Sequence, residues 1–272
     1  MAPTHLGIVD WGVGGLGLVR LLDDARLAVP VTYWSDTGSV PYGLQRPEEL
    51  ADRLRWVVAR LAERGCTEVV LACNAASTAV DRLADAAVPV EGIIASGIAA
   101  TEATLAEHPG PCDPSVARVV GVVGGAGTIR SGRYRRGLAA PGRRVVSRVA
   151  QPLSAHIEAG RTATDAFAVD LRRIVAPLRG ADVVVLACTH YPAASDSFAA
   201  ALPGSVLVDP AAALARSLVA RHAVAARLSL ASTSPADDGL SARTFVTTGD
   251  PAAMRSAADA AWSHPLADIS QV

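Results

Sequence analysis

Lysine is absent from this chain: all 25 of its Lys+Arg residues are arginine. A pyridoxal phosphate enzyme needs a lysine for its Schiff base, so that chemistry is excluded. The P-loop signature also requires a lysine and is likewise missing. Cysteine is scarce, with four residues at 66, 73, 112 and 188 and no CxxC spacing, which in a reducing compartment reads as thiols rather than a disulfide frame. The first residues, Met1 to Leu6, carry no basic region ahead of an apolar one, and Asp10 interrupts the first hydrophobic strand. No apolar run approaches the roughly 18 residues that a membrane span needs. A net charge of −1 without a long run of either sign leaves no electrostatic footprint for nucleic acid or an anionic membrane. The expectation is a cytoplasmic protein whose partner is a small molecule.

What is present is a repeat. Val69-Val70-Leu71-Ala72-Cys73-Asn74 returns as Val183-Val184-Val185-Leu186-Ala187-Cys188-Thr189-His190, each placing a thiol where an apolar strand ends. Gly7-Ile8-Val9-Asp10-Trp11-Gly12-Val13-Gly14-Gly15 has a counterpart in Gly121-Val122-Val123-Gly124-Gly125-Ala126-Gly127-Thr128. The first glycines lie 114 residues apart and the cysteines 115, so both elements share nearly one register. Helix-like runs precede each cysteine strand, at Glu48–Arg64 and Ala166–Leu178.

Short β-branched runs alternate with Ala/Leu/Arg stretches, and this pattern indicates parallel sheets covered by helices. The strand candidates are 4–10, 31–35, 68–72, 90–94, 119–123, 145–149, 182–187 and 205–208. Loops are expected at 108–114 and 230–241, and a late strand at 243–248 suggests a return to the first domain. At 50% hydrophobic, 272 residues can bury one large core or two smaller ones. The fold class is therefore α/β, with two similar parallel-sheet domains, residues 1–97 plus 209–272 and residues 98–208. Facing halves would bring both thiols to one cleft, beyond the strand ends where open α/β sheets bind ligands.

Inverting a carbon stereocentre by proton transfer needs a base on one face and an acid on the other, and two groups of one type let either enantiomer enter. Cysteine suits the task where donors or positive charge stabilise the thiolate. Taken singly, a cysteine at a buried strand end is usually an inert small hydrophobe. Cys66 and Cys112 are read as structural for that reason. Cys73, Cys188, Asp10 and His190 form a set that zinc would accept, but no ligand pair with zinc-finger spacing supports a metal, and none is expected. The glycines at 12, 14 and 15 do not meet the GxGxxG register of dinucleotide sites.

Six segments carry a family resemblance in order: Asp10-x-Gly12-Val13-Gly14-Gly15, Asp36-Thr37-x-x-Val40-Pro41-Tyr42-Gly43, Cys73-Asn74-x-Ala76-Ser77, Gly127-Thr128-Ile129-Arg130-Ser131-Gly132-x-Tyr134, Cys188-Thr189-His190-Tyr191-Pro192 and Thr247-Thr248-Gly249-Asp250. Together they resemble the aspartate/glutamate racemase family. The resemblance implies two pseudo-symmetric flavodoxin-like domains, a cleft between them, no cofactor, and amino-acid racemisation with glutamate as first candidate, supplying peptidoglycan. It leaves a homodimer open. It casts Cys73 as the base for the D-enantiomer and Cys188 for the L-enantiomer, Asp10 assisting the first thiol and His190 with Glu158 the second. Glu158 lies in a segment, 151–160, about two residues shorter than usual in the family. Pro41, Tyr42, Gly43, Asn74, Thr128 and Thr189 are the retained substrate contacts.

The chain also departs from the family: Trp11 and Ala75 stand where a serine and a threonine are usual, and Gly125 where another threonine is. Trp11 either walls the cleft or turns into the core. Two other readings stay open, an isomerase of the same superfamily for another substrate and a catalytically silent ligand-binding protein.

Overall fold

The computed structural model describes residues 4–108, 117–229, 242–263, 265–266 and 268–272, and among these ten strands, ten α-helices and four short 3-10 helices make up the regular structure. Cys112, the expected loop at 230–241 and all of the expected loop at 108–114 except His108 lie outside the described residues.

The chain runs β1 (Leu6–Asp10), α1 (Leu16–Asp24), β2 (Val31–Ser35), α2 (Pro47–Glu63), β3 (Glu68–Leu71), β4 (Val90–Gly92) and α3 (Ile93–Glu107). It continues as β5 (Arg118–Gly124), α4 (Ala126–Ser131), α5 (Arg133–Gly137), β6 (Arg143–Val149), α6 (Gln151–Glu158), α7 (Asp165–Val175), β7 (Val183–Ala187), α8 (Ser195–Ala201) and β8 (Val206–Val208). It closes with α9 (Pro210–Ser229), β9 (Arg243–Thr247), α10 (Pro251–Trp262) and β10 (Ile269–Gln271).

Two parallel sheets result, in the orders β10-β9-β2-β1-β3-β4 and β6-β5-β7-β8. The second repeats the path of β2-β1-β3-β4 within the first, so β1 corresponds to β5 and β3 to β7. The late strand β9 pairs with β2 and completes the first sheet, as its β-branched run suggests. Strands β1 and β7 are buried throughout, because helices cover both faces of each sheet. Two apolar clusters flank the first sheet. One joins it to α1, α9 and α10, the other to α2. A further pair flanks the second, with α6, α7 and α8 on one face and α3 and α5 on the other.

Helix α2 shows how local chemistry sets these layers. Pro47 opens it with a preset φ, and the Arg46 amide donates to the Glu49 carboxylate 3.2 Å away. Leu50, Leu54, Val57, Val58 and Leu61 recur at helical spacing on the buried face, and Gly65 at φ +86° stops the helix in a conformation that other residues resist. The strand expected over 90–94 ends at Gly92, because the Ile93 amide donates to Ser77 Oγ at 3.1 Å and starts α3 instead of extending the ladder. Edge strand β10 has no counterpart among the expectations; its three residues are half-buried or exposed and give no hydrophobic run.

The order in which successive strands are added reverses between β1 and β3 in one sheet and between β5 and β7 in the other. These are the switch points where such sheets bind ligands. Asp10 and Cys73 sit at the first, Gly125 and Cys188 at the second.

Candidate active site

The first thiol follows directly from the β1–β3 pairing. The amides of Ala72 and Cys73 both donate to Val9 O, at 3.0 and 3.4 Å, and Cys73 stands two residues past the end of β3. Ser77 then ties the turn: its amide donates to Cys73 O at 2.9 Å, and its hydroxyl lies 2.9 and 3.0 Å from the carbonyls of Cys73 and Leu71. Asp10, 2% exposed, accepts the Gly12 amide on Oδ1 at 2.9 Å and the Thr189 hydroxyl on Oδ2 at 2.9 Å. Burial pushes this carboxyl above its ordinary 3.8, against the pull of His190, the Gly12 amide and Thr189. Burial, then the charge of Asp10, raises the Cys73 thiol well above its ordinary 9.0, while the amides of Ala76 and Trp11 favour the thiolate. A charge on Cys188 pushes Cys73 upward as well. Both thiols are free.

The second thiol stands one residue past β7, with its own partners. His190 Nδ1 lies 3.7 Å from Cys188 Sγ, and Nε2 lies 2.7 Å from Oε1 of Glu158, the last residue of α6. The latter contact is an ion pair when the imidazole is protonated. Burial opposes a charge on His190, yet Cys188 and Glu158 together hold its pKa well above 6.5. Burial likewise opposes charge on Glu158, and His190 prevails to keep it below 4.5. The imidazolium can thus serve as counter-charge to a thiolate at Cys188.

Glycine lets the two halves meet here. A Cβ on Gly14 would stand 2.7 Å from His190 Nδ1, and one on Gly12 would stand 3.0 Å from Glu158 Oε1. At the other lip, a Cβ on Gly127 would stand 2.7 Å from the Gly43 Cα, and the exposed Arg130 donates to Gly43 O at 2.8 Å.

The expected binding residues divide by what their side chains already do. Asn74 is buried; its Oδ1 accepts the Tyr134 hydroxyl at 2.8 Å, and its Nδ2 has no partner. Thr128 is buried at the start of α4, and Gly125 precedes that helix in extended conformation. The hydroxyl of Tyr42 donates to Asp36 Oδ2 at 2.8 Å, inside a network closed by Arg53, so Tyr42 and Gly43 can offer a ligand their backbone. The Thr189 hydroxyl is engaged by Asp10. Pro41 leads into the turn Tyr42–Leu44. Trp11 is intermediate between the two positions open to it: half-buried, it packs, as Cys73 and Ala75 do, against the margin of the α2-side cluster, and its indole donates to Ser39 O at 3.1 Å.

Several supports carry no local signal. Tyr33, in the middle of β2, donates its hydroxyl to Gly12 O at 2.8 Å and fixes the turn below Asp10. Asp36 and Tyr134 fall inside the recognisable segments, but only the fold reveals their partners. Cys66 is buried beneath β1, where loss of solvent pushes its thiol up to about 11, as a structural cysteine should be. Among the described residues, no group of three or more His, Cys, Asp or Glu side chains is arranged to hold a metal ion, and no helix is long and apolar enough to cross a membrane.

Comparison with known proteins agrees with this geometry. Residues 17–218 match the family described as Asp/Glu/Hydantoin racemase. Glutamate racemase of Stutzerimonas stutzeri (strain A1501) is 32% identical over 264 residues, 95% of this chain and 94% of that protein. Glutamate racemase of Synechococcus sp. (strain CC9605) is 34% identical over 229 residues, 80% of each. Among solved structures, glutamate racemase from Thermus thermophilus in complex with beta-chloro-D-alanine is 27% identical, covers 99% of this chain and 96% of its own, and superposes with a TM-score of 0.80. Glutamate racemase from Francisella tularensis in complex with D-glutamate, at 21% identity and a TM-score of 0.82, shares the fold.

Proposed function

The chain belongs to the Asp/Glu/Hydantoin racemase family, and from that premise we propose that it interconverts the enantiomers of an acidic amino acid, glutamate first, by 1,1-proton transfer between Cys73 and Cys188. No cofactor takes part in this reading. One thiolate removes the α-proton while the opposed thiol delivers one to the other face of the planar intermediate. The observation that carries the proposal is the pair of free thiols at equivalent switch points, each with its own ionisable partners, Asp10 for one and His190 with Glu158 for the other.

The division of labour follows from those partners. His190, held protonated, balances a thiolate at Cys188. Burial, and then the charge of Asp10, favours the thiol form at Cys73. Asn74, Thr128 and the backbone at Tyr42 and Gly43 hold the carboxylate and amine, with Trp11, Ala75 and Gly125 shaping the remaining space. Domains of 1–97 plus 209–272 and 98–208 enclose the site, and a cytoplasmic supply of D-glutamate to peptidoglycan, with a homodimer as the assembly, completes the proposal.

The test is α-proton exchange of L- and D-glutamate, then of other amino acids, in D₂O. Exchange with inversion supports the reading. Exchange with a different amino acid would keep the two-thiol chemistry and change the substrate, a result that the half-exposed Trp11 beside Cys73 favours. Binding without exchange would leave a ligand-binding protein.

A further inference from the structure

Asn74 is 3% exposed and immediately follows Cys73. Its amide is used on one side only: Oδ1 accepts the Tyr134 hydroxyl at 2.8 Å, while Nδ2 is buried without an acceptor. Buried polar atoms are nearly always paired, so an unpaired NH₂ beside a reactive thiol marks a place where an acceptor from outside the chain is expected. Tyr134 belongs to α5, in the half built on the second sheet, and reaches across to this residue of the first. It is 2% exposed, and burial keeps its hydroxyl protonated and therefore able to donate. Gly97 on α3 leaves room for that reach, since a Cβ there would stand 2.5 Å from the Tyr134 hydroxyl.

An asparagine amide is nearly symmetric in shape, and rotation by half a turn exchanges donor for acceptor. The second partner decides which end faces the ligand. We propose that Tyr134 is a positioning residue: by donating to Asn74 Oδ1, it turns the Asn74 NH₂ toward a carboxylate oxygen of the substrate beside Cys73. The inference rests on the racemase reading for the ligand, though not for the orientation of the amide itself.

Tyr134→Phe removes the donor while keeping the ring volume. The expected result is a rise in KM of about fivefold to tenfold for both enantiomers, with kcat changed by less than about twofold, as for a contact made equally in ground and transition states. In an Asn74→Ala background the same substitution should add nothing, because it acts through Asn74. Gly97→Ala, which crowds the hydroxyl, should reproduce the KM effect and serves as the second variant should Tyr134→Phe fail to fold. The side-chain ¹⁵N amide signals of Asn74 give a readout independent of turnover: a single protected pair in the native protein, and exchange at least about tenfold faster in Tyr134→Phe. Unchanged KM in folded variants, full additivity with Asn74→Ala, or unaltered amide protection would each overturn the proposal. If the native protein exchanges the α-proton of no amino acid, the racemase reading falls, and the amide signals alone then decide the role of Tyr134.

Discussion

Thr189 donates its hydroxyl to Asp10 across 2.9 Å, joining residues 179 apart in the chain. Each end of this bond serves a different thiol. Thr189 is covalently next to Cys188, and the charge of Asp10 bears on Cys73. The bond therefore links the residue beside one thiol to a carboxyl that acts on the other.

Asp10 supplies a separable part of the upward shift of Cys73. Asp10→Asn should remove that charge, lower the thiol pKa and speed alkylation of Cys73 by iodoacetamide at pH 8 by about threefold to tenfold, since the thiolate is the reacting form. Peptide mapping of the labelled protein separates Cys73 from Cys66 and Cys188. An unchanged rate would mean that burial alone sets the acidity of Cys73.

The ion pair of His190 and Glu158 gives stability a defined pH window. Glu158 has a depressed folded pKa, so its contribution is present above 4.5 and is lost as pH falls through the folded value. His190 has a raised one, so its contribution is complete below 6.5 and is lost as pH rises through the folded value. Urea unfolding should therefore show Glu158→Gln less stable than the native protein by about 1–3 kcal/mol between pH 4.5 and 6.5, with the gap closing on both sides. Asp10, whose pKa is raised, works the other way: its contribution is complete below 3.8 and declines as pH climbs through its folded value. A gap independent of pH would show that the two side chains are not paired in solution.

Serine in place of either cysteine should end racemisation, with kcat falling by about 10²–10⁴-fold, because a hydroxyl is a much weaker acid than a thiol. Half of the chemistry should remain. Cys73→Ser keeps Cys188, which can still deprotonate an L-amino acid and release a good β-leaving group. Elimination from such an L-analogue, followed by the keto acid formed, checks this. Substantial racemisation by both single variants would remove the two-thiol mechanism.

The duplicated cysteine and glycine segments were legible because each falls at the carboxyl end of an equivalent strand, β3 with β7 and β1 with β5. Their spacing reflects one fold path traced twice. The partners of those residues were not legible. Tyr134 meets Asn74 across 60 residues, and Thr189 meets Asp10 across 179. Such contacts depend on how the sheets face each other, which no local periodicity encodes. Tyr33 was hidden for another reason: inside the uniformly buried β2, an aromatic residue reads as core, and only its hydroxyl, turned to Gly12 O, reveals a second task. The expected strand over 90–94 failed at Ile93 because a hydroxyl sixteen residues earlier claimed its amide.

Trp11, Ala75 and Gly125 set the hardest test of substrate. Each hydroxyl missing relative to the family would contribute about 1.5–3 kcal/mol if charge-assisted, so losing two or three without replacement lowers kcat/KM for glutamate by about 10²-fold or more. The structure has room for their return. A Cβ on Gly125 would meet only Gln151 Oε1, at 3.2 Å, the end of a flexible side chain. Ala75 is half-buried at the margin of the α2-side cluster, outside its core. The combined change Trp11→Ser, Ala75→Thr and Gly125→Thr should raise kcat/KM for L-glutamate by about 10–100-fold, followed by circular dichroism as the enantiomer ratio relaxes. It should also weaken any other substrate that stacks on the indole. Efficient glutamate turnover by the native protein, with no gain in the triple variant, would show that Trp11 or an ordered water already supplies what those hydroxyls provide elsewhere in the family.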